Sequence, residues 1–274
     1  MTAVAQFNIP TPPQMVFPRT PQTIAEIVLW LVVVAFVVFA VHQWRRTGSP
    51  LGLVLLAGGG IALFNEPIDD ILGLVNHPRP GQDVVFETMG PIPHWGLPTY
   101  IIFFGGIAYV LLLELRRLTF TPRAFWIGIT ITFVADLLIE LPLLYFRLYT
   151  YFGYGQVPMS IGGFPLYWLL INTTGPILCA AILFGAQGYF TGWRAGLVLF
   201  LPMVTDAGCS AAVGLPVYNA LHVPGAPAWL TWVGAFVSCA IGLVMLDAMA
   251  RWIYAHTLTM QQAVASTPEL QEQG

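Results

Sequence analysis

Leu51-Gly52-Leu53-Val54-Leu55-Leu56-Ala57-Gly58-Gly59-Gly60-Ile61-Ala62-Leu63 runs without a polar side chain into Phe64-Asn65-Glu66-Pro67-Ile68-Asp69-Asp70. A wholly apolar run that ends in three carboxyl groups and a proline is the pattern of a membrane-spanning helix with a polar patch at depth. On a helix, residues three and four apart lie on one side, so Glu66, Asp69 and Asp70 share roughly one face. If the run crosses a bilayer, that face must be hidden from lipid, because ionisable groups at depth are costly. Pro67 is expected to kink the segment or to begin a broken one.

The remainder of the chain supports that class. Of 274 residues, 57% are hydrophobic and 8% charged, against roughly 25% charged in soluble domains. The expected fold is therefore all-α: a polytopic transmembrane helix bundle of about seven spans. The net charge of −3 comes with no basic tract, which gives no reason to expect nucleic acid as a partner. All ten basic residues are arginine; without lysine there is no Schiff base, and a retinal pump is excluded. Cys179, Cys209 and Cys239 lie inside apolar runs and read as small packing residues. Residues 1–22 read as an extended proline-rich arm, 23–256 as the transmembrane domain and 257–274 as a polar tail.

Seven apolar stretches are long enough to cross a bilayer, at about 23–43, 51–72, 96–115, 124–146, 164–186, 194–218 and 228–254. Connections after the first, third and fifth, together with the end of the seventh, carry seven arginines; the opposite side carries three. By the positive-inside rule this places the N-terminus outside and the C-terminus in the cytoplasm of a multi-pass cell-membrane protein. At 1.5 Å per helical residue, Glu66 lies roughly 22 Å from the cytoplasmic start of its span. Asp136, Glu140 and Asp206 lie roughly 18, 24 and 18 Å into theirs, and Asn172 reaches the same layer from the other side. Polar groups from four helices thus share one depth.

Asp136 and Glu140 are four apart and share a helix face. Two carboxyls in a dry site cannot both ionise cheaply, and a protonated one beside an ionised one is equipment for acid–base catalysis. The plain alternative is a hydrogen bond to a neighbouring helix or a pair with Arg147. Asp206, among small residues, and Asn172 with Thr173 read either as parts of the site or as interhelical ties. Trp95, Tyr151 and Tyr154 read either as an interfacial belt or, with Trp168, as aromatic walls able to shelter a developing cation. His94 is a candidate proton relay, whereas His77 reads as an exposed loop residue. Glu114 with Arg116 and Arg117, and Asp247 with Arg251, read as interfacial ion pairs.

No histidine pairs at helical spacing with another ligand type, so a zinc site is not expected. Magnesium and a diphosphate among Glu66, Asp69, Asp70, Asp136 and Glu140 would call for more cations than Arg79 and Arg147 supply. Metal-free, cofactor-free acid chemistry is the expectation.

Asn65-Glu66-Pro67-Ile68-Asp69-Asp70, Ile92-Pro93-His94-Trp95 leading to Tyr100-Ile101-Ile102-Phe103-Phe104-Gly105-Gly106, and Tyr154-Gly155-Gln156-Val157-Pro158 before Gly163-Phe164-Pro165-Leu166-Tyr167-Trp168 and Asn172 occur in this order. In this the chain resembles the AveC-type spirocyclase family of actinobacteria, over about two-thirds of its length. That resemblance implies spiroketal closure or dehydration of a lipophilic polyketide. The same features look more loosely like membrane terpene cyclases and carotenoid hydratases, which implies proton-initiated chemistry on an isoprenoid. On this reading Glu66, Asp136 and Glu140 serve as acid and base, Asp69 and Asp206 support them, and Asp70, His94, Trp95, Tyr151, Tyr154, Trp168 and Asn172 hold the substrate. Two other classes stay open: a proton-coupled transporter or lipid-binding protein, and a non-catalytic subunit of a membrane biosynthetic complex.

Overall fold

A computed structural model describes residues 10–153 and 157–266. Tyr154, Gly155 and Gln156 lie outside the described residues. The architecture is an all-α bundle with seven helical segments long and apolar enough to cross a membrane. They are α1 (Arg19–Thr47); α2 (Leu51–Ala62) continuing through a 3-10 turn at Leu63–Asn65 into α3 (Glu66–Gly73); α4 (Gly96–Tyr100), a π-helical stretch Ile101–Ile107 and α5 (Ala108–Arg116) in one rod; α6 (Pro122–Tyr145); α7 (Tyr167–Gly185); a 3-10 stretch Gly192–Phe200 leading into α8 (Leu201–Leu221); and α9 (Ala228–Ala265). Three small antiparallel ladders lie in the connections: β1 (Val75–Asn76) with β4 (Thr150–Tyr151), β2 (Val84–Glu87) with β3 (Pro91–Pro93), and β5 (Ser160–Ile161) with β6 (Phe164–Pro165).

Local chemistry explains the boundaries. α6 begins where the Thr121 side chain accepts the Ala124 N–H at 3.2 Å and Pro122 takes the first turn, where its missing N–H costs nothing. Pro67 sits likewise in the first turn of α3, and the second segment is broken into 3-10 geometry just before it. Two ends differ from expectation. The N-terminal arm yields to α1 at Arg19, since Pro21 falls in a first turn that tolerates it. The C-terminal tail stays helical to Ala265, where buried Thr257 and a Gln261 Nε2 bond to Leu118 O at 2.6 Å hold it to the bundle.

α7 is the axis of the packing: α8, α9, α5 and α6 all lie against it. Close approach is set by glycine. A Cβ on Gly105 would stand 2.5 Å from Leu55 O, so the second and third segments touch backbone to backbone there. A Cβ on Gly175 would meet Asp206 Cα at 3.1 Å, so α7 and α8 close over the aspartate. Outside the helices, one ladder positions the polar residues: β1 pairs Val75 with Tyr151 and Asn76 with Thr150, tying the connection after α3 to the one after α6.

Candidate functional site

The second segment delivers its carboxyls through the short α3, whose three acids fan out to three neighbours. Glu66 Oε2 accepts from Tyr100 Oη at 2.5 Å, reaching the third segment. Asp69 Oδ1 accepts from Ser210 Oγ on α8 at 2.6 Å, and Ser210 in turn meets Tyr218 Oη at 3.1 Å. Asp70 Oδ1 lies 3.2 Å from His77 Nε2, which is also 3.5 Å from Glu66 Oε1. Asp206 Oδ2 accepts from Asn65 Nδ2 at 2.8 Å, and Asn172 Nδ2 lies 3.2 and 3.3 Å from the two oxygens of Asp136. Asp136 is only 2% exposed and Asp206 4%; burial this deep requires partners, and these are the partners.

Glu66, Asp69, Asp70, Asp136, Glu140 and Asp206 line one cleft of about 780 Å³, its open mouth included. Asn172, Trp95, Tyr151 and Trp168 line it too, so ten of the residues marked in the sequence converge on one place. The walls are aromatic and continuous: Trp95 to Tyr149 (5.8 Å between ring centres), Tyr149 to Tyr151 (5.6 Å), Tyr151 to Trp168 (6.0 Å). Trp95 Nε1, Trp168 Nε1 and Tyr149 Oη are buried and have no hydrogen-bond partner among the described residues.

Two histidines exchange the roles expected of them. His94 is not in the cleft wall; its ring is 44% exposed and Nδ1 lies 3.6 Å from Glu26 Oε1 on α1. Neighbours in sequence at the start of a helix point different ways, and here Trp95 turns inward and His94 out. His77, expected in solvent, is buried in the cleft, its ring 5.7 Å from both Trp95 and Tyr149. Leu74, in the left-handed region at φ 54°, reverses the chain after α3, and the β1–β4 ladder then carries His77 back over the acids. Burial alone would push the His77 pKa down; the Asp70 and Glu66 carboxyls outweigh it and hold it up at about 10. The ring is therefore imidazolium at neutral pH. Burial, joined by the Glu140 carboxyl, holds the Tyr151 phenol well above its ordinary range, so it stays a donor.

Sequence reasoning also missed Tyr100 and Tyr149. Tyr100 stands one helical turn after Gly96, on the rod that faces Glu66, a placement that only the crossing of the two segments reveals. Glu66, Asp70 and His77 offer ligand atoms within 4.8 Å of one another. The expectation that no histidine stands beside another ligand type is thus overturned, because the spacing of seven residues between Asp70 and His77 is closed by the chain reversal and not by a helix. A hard divalent cation placed there would take the two carboxylates and compete with the imidazolium proton. The interfacial pairs behave as expected: Arg117 Nη1 to Glu114 at 3.0 Å and Arg251 Nε to Asp247 at 2.7 Å, both exposed and outside the cleft. Arg147 is exposed and pairs with neither Asp136 nor Glu140 among the described residues.

No protein-family model, curated protein or solved structure matches the chain, so the reading of the site rests on its own geometry and chemistry.

Proposed function

We propose that this chain is an integral-membrane acid–base enzyme of the spirocyclase type, which cyclises, hydrates or dehydrates a lipophilic polyketide or isoprenoid drawn from the bilayer. The observation that carries the reading is the convergence of six carboxyls on one aromatic-walled cleft inside a bundle of apolar helices. Intramembrane carboxyls are retained where they have work to do. In the bilayer the seven segments cross with the N-terminus outside and the C-terminus in the cytoplasm, following the arginine distribution.

Asp136 and Glu140, one turn apart, share a proton between them. Glu140 delivers it to the carbonyl, epoxide or alkene of the substrate, and the hydroxyl of the substrate or a water adds to the activated carbon. Asp136, held by Asn172, takes the proton released by that oxygen, so no external redox partner or cofactor is required. Glu66, fixed by Tyr100, and the imidazolium of His77 set the charge of the opposite wall. Asp69 and Asp206, each bonded to a side chain, are supports. Unpartnered Trp95 Nε1, Trp168 Nε1 and Tyr149 Oη are the donors available to substrate oxygens.

The test is a comparative metabolite profile. Membranes bearing wild type or the Glu66→Gln/Glu140→Gln double variant are incubated with a lipid extract of the native host. A product of unchanged or water-shifted mass, formed only with wild type, is the expected result. Equal profiles from two folded proteins would refute the enzyme reading and turn attention to proton-coupled transport or a subunit role.

A further inference from the structure

A second cavity, of about 750 Å³ with its mouth included, lies along the same three segments that enclose the acid cleft. Its wall is apolar: Leu111 and Leu115 on α5, Phe125 and Gly128 on α6, Ile177 and Ala180 on α7. The acid cleft takes Tyr100 and Phe104 from the third segment, Asp136 and Glu140 from α6, and Ile171 and Asn172 from α7. The two spaces therefore follow one another along a single seam. The seam is written on α6 as one stripe, Phe125, Ile129, Thr132, Asp136 and Glu140, with steps of four, three, four and four residues. Thr132 is the one hydroxyl on that stripe, and it is turned back onto Gly128 O at 3.0 Å. α6 packs more on α7 and α9 than on α5, which leaves the seam open to the side; Ile127 and Ile131 at its edge are 51% and 64% exposed.

We infer that the seam is the tail subsite of the proposed enzyme. The substrate is an amphiphile whose oxygenated head reacts in the acid cleft while a linear, unbranched or isoprenoid tail lies between α5 and α6 against α7. The inference rests on the acid–base reading for the head and on the apolar groove for the tail. Continuity of the stripe favours the tail of the molecule held in the cleft over an unrelated ligand. From Asp136 to Ala124, where the apolar wall ends, twelve residues give a run of about 18 Å. Past that point the Glu114–Arg117 ion pair marks a polar boundary, so longer tails must leave the groove. Gly128 is the gauge: a Cβ there meets only Leu111 Cδ2, at 3.9 Å. A larger side chain enters the groove without a backbone clash, eight residues or about 12 Å from Asp136.

Photolabelling of the full-length protein in detergent micelles tests this without any need for turnover. Two hexadecanol probes are used, one with a diazirine at the far end of the chain and one with it beside the hydroxyl. The far-end probe is expected to label the segments around Leu111, Phe125 to Ile129 and Ile177, and the near-end probe those around Tyr100, Asn172 and Trp168. Gly128→Leu should cut far-end labelling by about tenfold, through exclusion of the outer methylenes, and leave near-end labelling in place; Gly128→Ala should leave both. Far-end labelling scattered over the exposed helix faces would overturn the inference. So would groove labelling that excess phospholipid abolishes and excess unlabelled hexadecanol does not, which would mark a site for a bilayer lipid only. Should Gly128→Leu fail to fold, the wild-type map and its competition pattern still decide. The expected map with no turnover difference in the metabolite profile would keep the groove and remove the enzyme reading; turnover with a scattered map would do the reverse.

Discussion

His77 has the most to do with how charge is balanced in the cleft. Its folded-state pKa of about 10 stands above the ordinary 6.5, so the imidazolium contributes stability that is complete below about pH 6.5 and disappears as pH rises through 10. His77→Gln should therefore lower the melting temperature at neutral pH, and the gap to wild type should close as the pH approaches 10. A gap that widened with pH would show that the ring is neutral in the folded protein. Tyr100→Phe tests the other wall: Glu66 loses its 2.5 Å donor in a buried setting, a loss of about 1–3 kcal/mol, read as a fall in melting temperature with the bundle intact. Neither residue was legible from spacing. His77 reaches Asp70 through a left-handed Leu74 and a strand ladder that pairs Val75 with Tyr151, and such non-local pairing leaves no periodic trace. His94 was misplaced for the opposite reason: adjacency to Trp95 says nothing about direction, and its ring faces Glu26.

At the level of the helix, apolar length was a sufficient guide, because the period and rise of an α-helix are fixed by the backbone. All seven segments form where apolar runs stand, and the break ahead of Pro67 was written in the proline itself. Ends were less legible: α9 runs on to Ala265 because bundle contacts, not apolar composition, hold its last turns. The π-helical stretch Ile101–Ile107 had no signature at all; it lies where Gly105 presses on Leu55 O, and both belong to a crossing seen only in three dimensions. That crossing makes a prediction. Gly105→Ala would place a Cβ 2.5 Å from a backbone oxygen, which no rotamer can relieve, and overpacking of this kind costs about 1–3 kcal/mol. Gly128→Ala, with open space around its Cβ, should instead hold or raise stability through helix propensity. Thermal unfolding of the two variants side by side separates crowding from propensity; equal effects would mean that the second and third segments do not touch at Gly105.

Across the molecule, the cleft was foreseeable because four helices carry their polar residues at one depth, and a bundle has few ways to hide them except against each other. Which faces meet was not foreseeable, since ridge packing and glycine contacts set helix rotation, and so neither the aromatic wall nor the seam along α6 could be drawn beforehand. The orientation of the whole follows from arginine counting alone, and it can be tested with the protein's own chemistry. Cys179 and Cys209 are buried and Cys239 is partly so, which makes a Cys179→Ala/Cys209→Ala/Cys239→Ala background a mild change. Into it go single reporters at two exposed ends: Gly90→Cys, on the side of the β-ladders, where a Cβ meets nothing within 4 Å, and Ser49→Cys, in the turn between α1 and α2. With the N-terminus outside, a membrane-impermeant maleimide should label the Gly90 variant in intact cells and the Ser49 variant only after permeabilisation. The reverse pattern would invert the molecule and open the acid cleft toward the cytoplasmic leaflet, which would move its substrate supply to the other face of the membrane. Labelling of both in intact cells would mean that the second segment does not cross, and with it the reason for burying Glu66 at depth would fall.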